Sequence, residues 1–368
     1  MTEVIDGGQP LIRYGWQQKV ASLFAEHAAA GAKPGRVVAE HRGSYLVATE
    51  RGELDGSVSG RFRHAAEVAE DFPAVGDWVA MDVVDDGRAA VIQAVLPRQT
   101  RFVRPARGDI PGAQVVAANV DLVLVVVGLD HDFNLHRLER YMALAWSSGA
   151  EPVIVLNKAD LCDDIGSRLA DVASVAPGVP VRVLSARDGT GLESLAPLLE
   201  SGRTVVLLGS SGVGKSTIVN ALLGWQRQST NDVRAGDQRG RHTTSMRELL
   251  VMPSGALLID NPGIRSVGMW EVEEGLGDAF ADVEAFAVQC RFTDCAHEHE
   301  PGCAVHAAIA DGALSAERLA SQQKLARESA AFAARADPVK RAEHRRRWRI
   351  IHKSVRIHMR GKYGPEAG

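Results

Sequence analysis

The most informative segment of the sequence is residues 204–217, which read TVVLLGSSGVGKST. Residues 209–216 match the phosphate-loop pattern G-x-x-x-x-G-K-[ST] and lie between an apolar strand and a predicted helix. Backbone amides of such a loop converge on phosphates at the positive end of the helix. We therefore predict that Lys215 reaches the β- and γ-phosphates of a nucleotide and that Ser216 ligates Mg²⁺. The predicted phosphate-site residues are Gly209, Ser210, Ser211, Gly212, Val213, Gly214, Lys215, Ser216 and Thr217.

Short apolar runs on both sides of this loop are typical of buried parallel strands. Helices are predicted between them at 134–148 and 216–224, and residues 247–251 are predicted as an antiparallel strand. The alternation predicts a doubly wound α/β domain. The five apolar strands are predicted at residues 122–127, 153–156, 181–184, 204–208 and 256–259.

A tetrapeptide that can select the base, Asn157-Lys158-Ala159-Asp160, follows the strand at 153–156. The carboxylate of Asp160 can accept from both N1–H and the exocyclic amine of guanine, whereas adenine would leave it unpaired at a cost of about 1–3 kcal/mol. The stem of Lys158 can lie along the base plane. Ser185-Ala186-Arg187 ends the next strand and matches the S-A-[KR] element that supports the base through a backbone amide. Asn157, Lys158, Asp160, Ser185 and Ala186 are therefore predicted to bind the guanine nucleotide.

Two further segments have the form of nucleotide switches. Residues 260–263 read D-N-P-G, and we predict that Asp260 and Gly263 belong to a D-x-x-G switch that contacts Mg²⁺. Residues 240–244 read G-R-H-T-T, where a threonine can bind Mg²⁺ and sense the γ-phosphate. Thr244 is the first choice for that ligand and Thr243 the second.

The order of these five motifs differs from that of ordinary GTPases, in which the phosphate loop comes first. Here N-K-x-D and S-A-R precede the phosphate loop. The motifs still converge if the domain is circularly permuted, which is plausible because domain termini often lie close together. The D-x-x-G segment then leads directly into the C-terminal part of the chain.

The residues before this domain are predicted to form a short helix at 15–30 and a small barrel at 35–101. Five short strands, at 36–39, 45–49, 57–62, 77–81 and 89–95, indicate an OB-fold, and a generic five-stranded domain is the alternative. An OB face can stack single-stranded bases on aromatic rings. Tyr45, Phe62 and Trp78 are candidates for such stacking or, alternatively, core residues.

A cluster of potential metal ligands, Cys290-x4-Cys295-x-His297-x5-Cys303, follows the predicted GTPase domain. Three thiolates and one imidazole suit a closed tetrahedral Zn²⁺ site that supports structure. Free buried cysteines and a redox cluster are the alternatives, and His299 and His306 are lower-ranked ligands. Cys162 stands apart and is predicted to serve packing.

Composition excludes several classes of protein. The chain has 368 residues, 45% hydrophobic and 24% charged, as globular proteins do, and its longest apolar run is far below the roughly 20 residues of a membrane span. The first residues lack a signal-peptide pattern, so a cytoplasmic protein is expected.

The positive charge of the chain is concentrated near its C-terminal end. Residues 339–362 contain ten Lys or Arg and one acid, whereas the rest of the chain has a net charge of −13. This basic tail, together with the arginines of 98–107, predicts salt-sensitive contact with a polyanion.

The motif order, the G-D-W run at 76–78 and the Cys₃His pattern together resemble the ribosome small-subunit-dependent GTPases, the RsgA/YjeQ family. The resemblance covers about residues 35–335. It implies a circularly permuted P-loop GTPase domain (102–274) with an N-terminal OB-fold β-barrel (35–101) and a C-terminal zinc-binding, mostly helical domain (275–368), after a leader (1–34). Where this chain has Asn261 the family usually has threonine, and the family supports no detailed claim about the leader or the basic tail.

The function implied by the resemblance is binding of the 30S ribosomal subunit and its 16S rRNA late in assembly, by a monomer that hydrolyses GTP to GDP. GTP or GDP, Mg²⁺ and one structural Zn²⁺ are the implied cofactors. Ile264 follows the D-x-P-G segment and cannot polarise water, so the resemblance assigns the positioning of the attacking water to His242. With Lys215 and Thr244, His242 completes the predicted catalytic set.

Two other functions are consistent with the motifs alone. One is a GTPase that acts on another RNA-bound partner, such as the 50S subunit or an mRNA complex. The other is a GTP-sensing adaptor without catalysis, which Ile264 favours. Asp160 disfavours a metabolic ATPase, and the N-terminal sequence disfavours a secreted metalloprotein.

Overall fold

The chain forms a five-stranded barrel, a mostly parallel central sheet and a C-terminal group of helices. The computed structural model describes residues 9–41, 43–105, 113–224, 247–260, 273–298 and 300–336. The strands are β1 Lys33–His41, β2 Ser44–Thr49, β3 Gly52–Val58, β4 Trp78–Val84, β5 Ala89–Val95, β6 Arg101–Pro105, β7 Ala113–Ala118, β8 Leu122–Gly128, β9 Glu151–Asn157, β10 Val181–Val183, β11 Thr204–Leu208, β12 Arg247–Val251 and β13 Leu257–Asp260. The α-helices are α1 Gln9–Ile12, α2 Gln18–Ala29, α3 Gly60–Ala65, α4 Leu135–Ser147, α5 Ile165–Val175, α6 Lys215–Leu223, α7 Glu273–Ala279, α8 Ala281–Ala287, α9 Ala304–Ala310 and α10 Ala316–Ala336.

The barrel consists of β1–β5 in the order β1-β2-β3-β5-β4, and it closes because β1 also pairs with β4. The β3–β5 pairing is parallel and the others are antiparallel, which gives the OB-like barrel that the strand pattern predicts. Val37, Val47, Met81 and Ile92 are fully buried in its interior.

One predicted strand of the barrel is wrong in its second half. Residues 57–62 do not continue as a strand, because β3 ends at Val58 and α3 begins at Gly60. The Ser59 hydroxyl accepts from the Phe62 amide and caps this helix, an arrangement that serine favours at a helix start. The local cap overrides the β-propensity of the flanking residues.

The barrel and the central sheet share one continuous set of strands. Strand β1 pairs antiparallel with β12, with Ala39 opposite Glu248, and Arg247 forms an ion pair with Glu40 at 2.8 Å. Backbone hydrogen bonds therefore tie the N-terminal barrel to the last two strands of the central sheet.

The central sheet has the order β10-β9-β8-β11-β13-β12, and β12 is its antiparallel strand. Alternate residues of β8 face two different cores, with Val123 and Val125 on one face and Leu122 and Leu124 on the other. Helices α4 and α5 cover the first face, and α6 with the 3₁₀ segment Leu192–Leu198 covers the second. The doubly wound architecture predicted from the apolar runs is confirmed.

The leader packs against the barrel. Helix α2 buries Val20 and Phe24, and the Trp16 ring lies edge-on to Trp78 with their centroids 5.1 Å apart. These side chains belong to the same core as Val123 of the central sheet. The apolar face of the leader is thus part of the main core.

The segment between the barrel and the central sheet has a structural role that the sequence analysis did not assign. Arg98 binds both oxygens of Asp77 at 2.7–3.2 Å and donates to the carbonyls of Glu70 and Phe72. Burial raises the pKa of Asp77 above its ordinary value, although the bond and charge of Arg98 oppose the shift. The guanidinium of Arg98 is therefore occupied by partners within the protein. The prediction that Arg98 binds phosphates of a polyanion is wrong.

The C-terminal helices dock on α4. Gly275 of α7 approaches α4 so closely that a Cβ there would lie 2.3 Å from the Ala143 carbonyl oxygen. The buried side chains of Phe280, Val283 and Val305 form the core of this group. Within the described ranges, no helix is both long and apolar enough to cross a membrane.

We expect Asp77→Ala to destabilise the protein by about 3–5 kcal/mol, because it leaves the Arg98 charge buried without its partner. Denaturant unfolding measures the change. Asp171→Ala removes the exposed Arg168–Asp171 pair and should cost less than about 1 kcal/mol. Equal losses in the two variants would contradict the role given to Asp77.

Candidate nucleotide-binding site and metal centre

The phosphate loop joins β11 to α6 through three glycines with positive φ. Gly209 (φ +145°) lies so close to β8 that a Cβ would approach the Val126 carbonyl oxygen to 2.4 Å. At Gly214 (φ +98°) a Cβ would meet Asn157 Nδ2 at 2.1 Å. At Gly212 (φ +82°) no atom lies within 4 Å of the Cβ position. Close packing thus requires glycine at positions 209 and 214, whereas the Cβ position of Gly212 faces open space.

Lys215 is buried at the start of α6. Its Nζ donates to the carbonyl oxygens of Gly209 and Ser210 at 2.6 and 2.5 Å. The ammonium group therefore lies inside the loop that the sequence predicts to bind phosphates. Ser216 and Thr217 are half-buried in the first turn of α6.

Asn157 holds three of the predicted motifs together. It is the last residue of β9 and is only 2% exposed. Its Nδ2 donates to the Val213 carbonyl of the phosphate loop at 2.8 Å, and its Oδ1 accepts from the Ala186 amide at 2.9 Å. One amide side chain thus joins N-K-x-D, the phosphate loop and S-A-R.

Asp160 and Ser185 lie side by side beyond the ends of β9 and β10. The Ser185 hydroxyl donates to Asp160 Oδ1 at 2.7 Å. Ser185 is buried, whereas Asp160 is exposed. A carboxylate that is oriented by a buried hydroxyl and open to solvent can accept hydrogen bonds from a ligand.

Lys158 is oriented by an acid that the sequence analysis missed. Its backbone is left-handed (φ +65°), and its Nζ donates to Asp130 Oδ2 at 2.5 Å. Burial opposes ionisation of Asp130, but the bonds from Lys158 and the Asp132 amide outweigh it and lower the pKa of Asp130. Asp130 is the second residue after the end of the apolar strand β8, and an acid at that edge of the sheet, where ligands bind, was the available signal.

A second contact that the sequence did not indicate reaches the phosphate loop from α4. Arg137 and Tyr141 lie one helical turn apart, and both contact the Ser210 hydroxyl. Neither residue belongs to a nucleotide-binding motif.

The switch residues are only partly described. Asp260 is half-buried at the end of β13, next to β11 in the sheet and at the same edge as the phosphate loop. The other predicted switch residues, His242, Thr243, Thr244, Asn261, Gly263 and Ile264, lie outside the described residues.

The four predicted metal ligands lie together, with their ligand atoms all within 4.8 Å of one another. Cys303 Sγ and Cys290 Sγ lie 3.5 and 3.7 Å from His297 Nδ1, and the two sulfurs are 3.9 Å apart. Zinc bonds of about 2.3 Å to sulfur and 2.05 Å to nitrogen give tetrahedral edges of about 3.8 Å (S–S) and 3.6 Å (S–N). The spacing and the donor set therefore fit a tetrahedral metal ion.

The lower-ranked ligands are placed differently. His306 Nε2 lies 3.0 Å from the His297 carbonyl oxygen, outside the ligand cluster, and His299 lies outside the described residues. Cys162 packs against the main core.

Two of the three aromatic candidates for base stacking are core residues, which is the alternative that the sequence left open. Trp78 and Tyr45 are 4% and 6% exposed, so neither ring is available to stack on RNA bases. Phe62 is half-buried and packs on Phe72 with ring centroids 6.1 Å apart.

The order of strands around the phosphate loop, with β8–β10 preceding it in the chain, defines a circularly permuted P-loop GTPase. A sequence model of the RsgA GTPase family matches residues 95–270. Two relatives, each called small ribosomal subunit biogenesis GTPase RsgA, are similar over more than nine-tenths of their lengths. The protein from Opitutus terrae is 46% identical over 94% of this chain and 97% of its own, and the one from Streptomyces coelicolor is 45% identical over 92% of each.

Solved structures agree with this result. The crystal structure of YjeQ from Thermotoga maritima has a TM-score of 0.61 and 27% identity and covers 81% of this chain and 98% of its own. That of YloQ, described as a circularly permuted GTPase, has a TM-score of 0.58 at 24% identity, covers 81% and 95%, and shows the fold alone. The chain belongs to the RsgA GTPase family, and it is a GTP-hydrolysing enzyme, as the motif order predicts.

We expect Asn157→Ala to cost about 1–3 kcal/mol of stability, because the Val213 carbonyl and the Ala186 amide lose their buried partners. Guanine-nucleotide affinity should fall with it, since the loops it joins are no longer held together. Asn157→Asp keeps the acceptor for the Ala186 amide but places a buried carboxylate oxygen against the Val213 carbonyl, so it should destabilise the protein at least as much as Asn157→Ala. Wild-type stability and affinity in Asn157→Ala would exclude this role.

Proposed function

We propose that this protein binds the 30S ribosomal subunit, contacts its 16S rRNA and assists its late maturation while hydrolysing GTP to GDP and phosphate. The observation that carries the guanine-nucleotide part is the junction at Asn157, which joins the base-reading and phosphate-binding loops. The ribosomal part is supported by the name shared by relatives that match nearly the whole chain. Such a role agrees with the expected cytoplasmic location.

Base selection is assigned to Asp160. Its carboxylate, oriented by Ser185, accepts from N1–H and the exocyclic amine of guanine. Lys158, fixed by Asp130, lies along the base, and the S-A-R loop, which Asn157 holds at Ala186, supports the base. Adenine offers no matching pair of donors and would leave Asp160 unpaired.

Phosphate binding is assigned to the loop from Gly209 to Thr217. The open space at Gly212 and the buried ammonium of Lys215 fit a phosphate chain held by backbone amides. Ser216 and Asp260, with Thr244 from the predicted switch at 240–244, would hold Mg²⁺. When bound, this ion would neutralise charge that develops during phosphoryl transfer. Thr243 and Gly263 complete the switches, and His242 is the proposed water-positioning residue, a role that rests on the family resemblance.

The RNA-binding surface is assigned to the C-terminal basic tail, residues 339–362. Ten positive charges against one acid favour phosphate contacts that weaken as salt rises. We propose domain boundaries of 35–101, 102–274 and 275–368 after a leader at 1–34, in a monomer without a membrane partner.

The enzyme is favoured over the non-catalytic adaptor by membership in a GTPase family. The remaining alternative is that the partner is the 50S subunit. A measurement of GTP turnover with each subunit distinguishes the two. At fixed Mg²⁺, purified 30S subunits should raise GTP turnover at least about tenfold over protein alone, whereas 50S subunits should have little effect. Equal stimulation by both subunits, or none, would overturn the 30S assignment.

The variant Asp160→Asn controls for guanine reading in the same assay. It exchanges one carboxylate oxygen for an amide donor that faces the exocyclic amine of guanine. GTP affinity should therefore fall by about tenfold or more, and a xanthine nucleotide, with a carbonyl at that position, should regain affinity. An unchanged preference for GTP would contradict the role of Asp160.

A structural zinc ion is assigned to Cys290, Cys295, His297 and Cys303. Such a site closes the segment between α8 and α9 and stabilises the C-terminal helices. Zinc bound to this site is proposed to have no part in the reaction, because all four tetrahedral positions are filled by protein.

We expect about one zinc ion per purified chain. Cys303→Ser should lose most of it and unfold the C-terminal helices at a lower temperature, since metal binding contributes to folding. The matched control Cys162→Ser, whose residue packs on the main core, should keep the metal. Full zinc content in Cys303→Ser, or none in the wild type, would remove the assignment.

A further inference from the structure

Arg137 lies in the first turn of α4 and reaches the phosphate loop. Its guanidinium Nη1 donates to Ser210 Oγ at 2.9 Å and to Asp132 Oδ2 at 2.6 Å. The Tyr141 hydroxyl lies 3.4 Å from the same Ser210 oxygen. The Asn134 side chain accepts from the Arg137 amide at 2.9 Å and caps the helix. Both the backbone and the side chain of Arg137 are therefore held in place.

Ser210 connects this contact to the phosphate-binding lysine. Its hydroxyl accepts from Arg137, and its carbonyl oxygen accepts from Lys215 Nζ at 2.5 Å. A displacement of Ser210 would therefore move an acceptor that orients the Lys215 ammonium. Arg137 thus bears on the lysine through one intervening residue.

A different face of α4 is clamped by the C-terminal helices. Glu139 is 2% exposed and accepts from Arg318 of α10 at 2.7 Å and from the Ser321 hydroxyl. Residues 137 and 141 share one face of a helix, and residue 139 points about 200° away from residue 137. Helix α4 therefore lies between the phosphate loop and the C-terminal helices and contacts each with a charged side chain.

Arg318 makes this clamp rigid. It is 4% exposed, binds Asp282 at 2.9 and 3.0 Å and donates to the Ala279 carbonyl. Its guanidinium lies 4.1 Å from the centroid of the Phe280 ring. Separation of α4 from the C-terminal helices would break this buried network and leave a charge unpaired. Because that is costly, we expect the two parts to move as one body.

We propose that Arg137 is a positioning residue of the GTPase reaction, which holds the phosphate loop through Ser210 and is itself set in place by the Glu139–Arg318 clamp on α4. The inference rests on the proposed GTPase site. It gives the C-terminal helices a route by which a partner bound to them alters catalysis. Charge develops on the transferred phosphoryl group in the transition state, so misplacement of Lys215 lowers kcat more than it weakens ground-state binding.

The test is intrinsic single-turnover GTP hydrolysis by full-length protein, with GDP affinity and thermal unfolding measured in parallel. Arg137→Ala should lower kcat by about tenfold and change GDP affinity by less than about threefold. Arg137→Lys should recover most of the rate, because one nitrogen makes both bonds and an ammonium has three donors. The control Arg168→Ala removes an exposed arginine of α5 and should leave the rate unchanged.

A double-mutant cycle separates this route from others. If Arg137 acts through Ser210, Ser210→Ala should slow hydrolysis as Arg137→Ala does, and the double variant should be no slower than either. If the rate loss in the double variant equalled the product of the two single losses, Arg137 would act independently of Ser210, and the proposal would be overturned. An unchanged kcat in Arg137→Ala, or a loss of GDP affinity equal to the loss in kcat, would overturn it too.

The clamp is tested with Arg318→Lys, which keeps the charge and loses the planar fork. It should lower kcat about threefold in the wild-type background and have no further effect in Arg137→Ala. An equal effect in both backgrounds would remove the clamp from the proposal. Intrinsic rates need no ribosome, so these ratios are independent of 30S stimulation. A wild type without turnover under any condition would instead overturn the proposed function and this inference with it.

Discussion

The candidate nucleotide-binding site depends on one buried amide, the side chain of Asn157. Its donor holds the phosphate loop at Val213, and its acceptor holds the S-A-R loop at Ala186. Three separate chain segments thereby meet at the carboxyl edge of the parallel strands. Because the side chain is 2% exposed, water cannot replace either bond, so the relative placement of these loops follows from a single residue. The bare backbone at Gly214 is what lets Asn157 approach so closely.

The same constraint explains why circular permutation leaves the site intact. Parallel strands present their carboxyl ends at one edge whatever their order in the chain, so β9 can precede β11 without changing the site. Permutation changes the flanking connections instead. The barrel joins the central sheet through β1 and β12, and the C-terminal helices dock on α4. Two accessory parts are thus attached to the central sheet domain, one by strand pairing and the other by helix packing.

Sequence patterns predicted those parts of the structure that depend on residues close together in the chain. The phosphate loop, N-K-x-D and the apolar parallel strands could be read directly, because each needs particular residues at fixed spacing. The Cys₃His cluster could be read for the same reason, and its four ligand atoms lie within 4.8 Å of one another. The helix at Gly60–Ala65 was missed because a serine cap outweighed strand propensity. Asp130 was missed because one acid after a strand has no distinctive spacing.

The motifs alone were enough to identify the class of protein and to predict a preference for guanine, because motif chemistry survives any arrangement that brings the motifs together. They left catalysis open against a GTP-sensing adaptor, and membership in a GTPase family favoured the enzyme. Which charged and aromatic side chains are buried became known only from the tertiary structure. Arg98 resembled a phosphate ligand and is buried on Asp77, and Trp78 resembled a stacking platform and lies in the core. Arg137 gave no signal at all, yet it contacts the phosphate loop. Such roles depend on partners distant in sequence, and only folding brings those partners within hydrogen-bond distance.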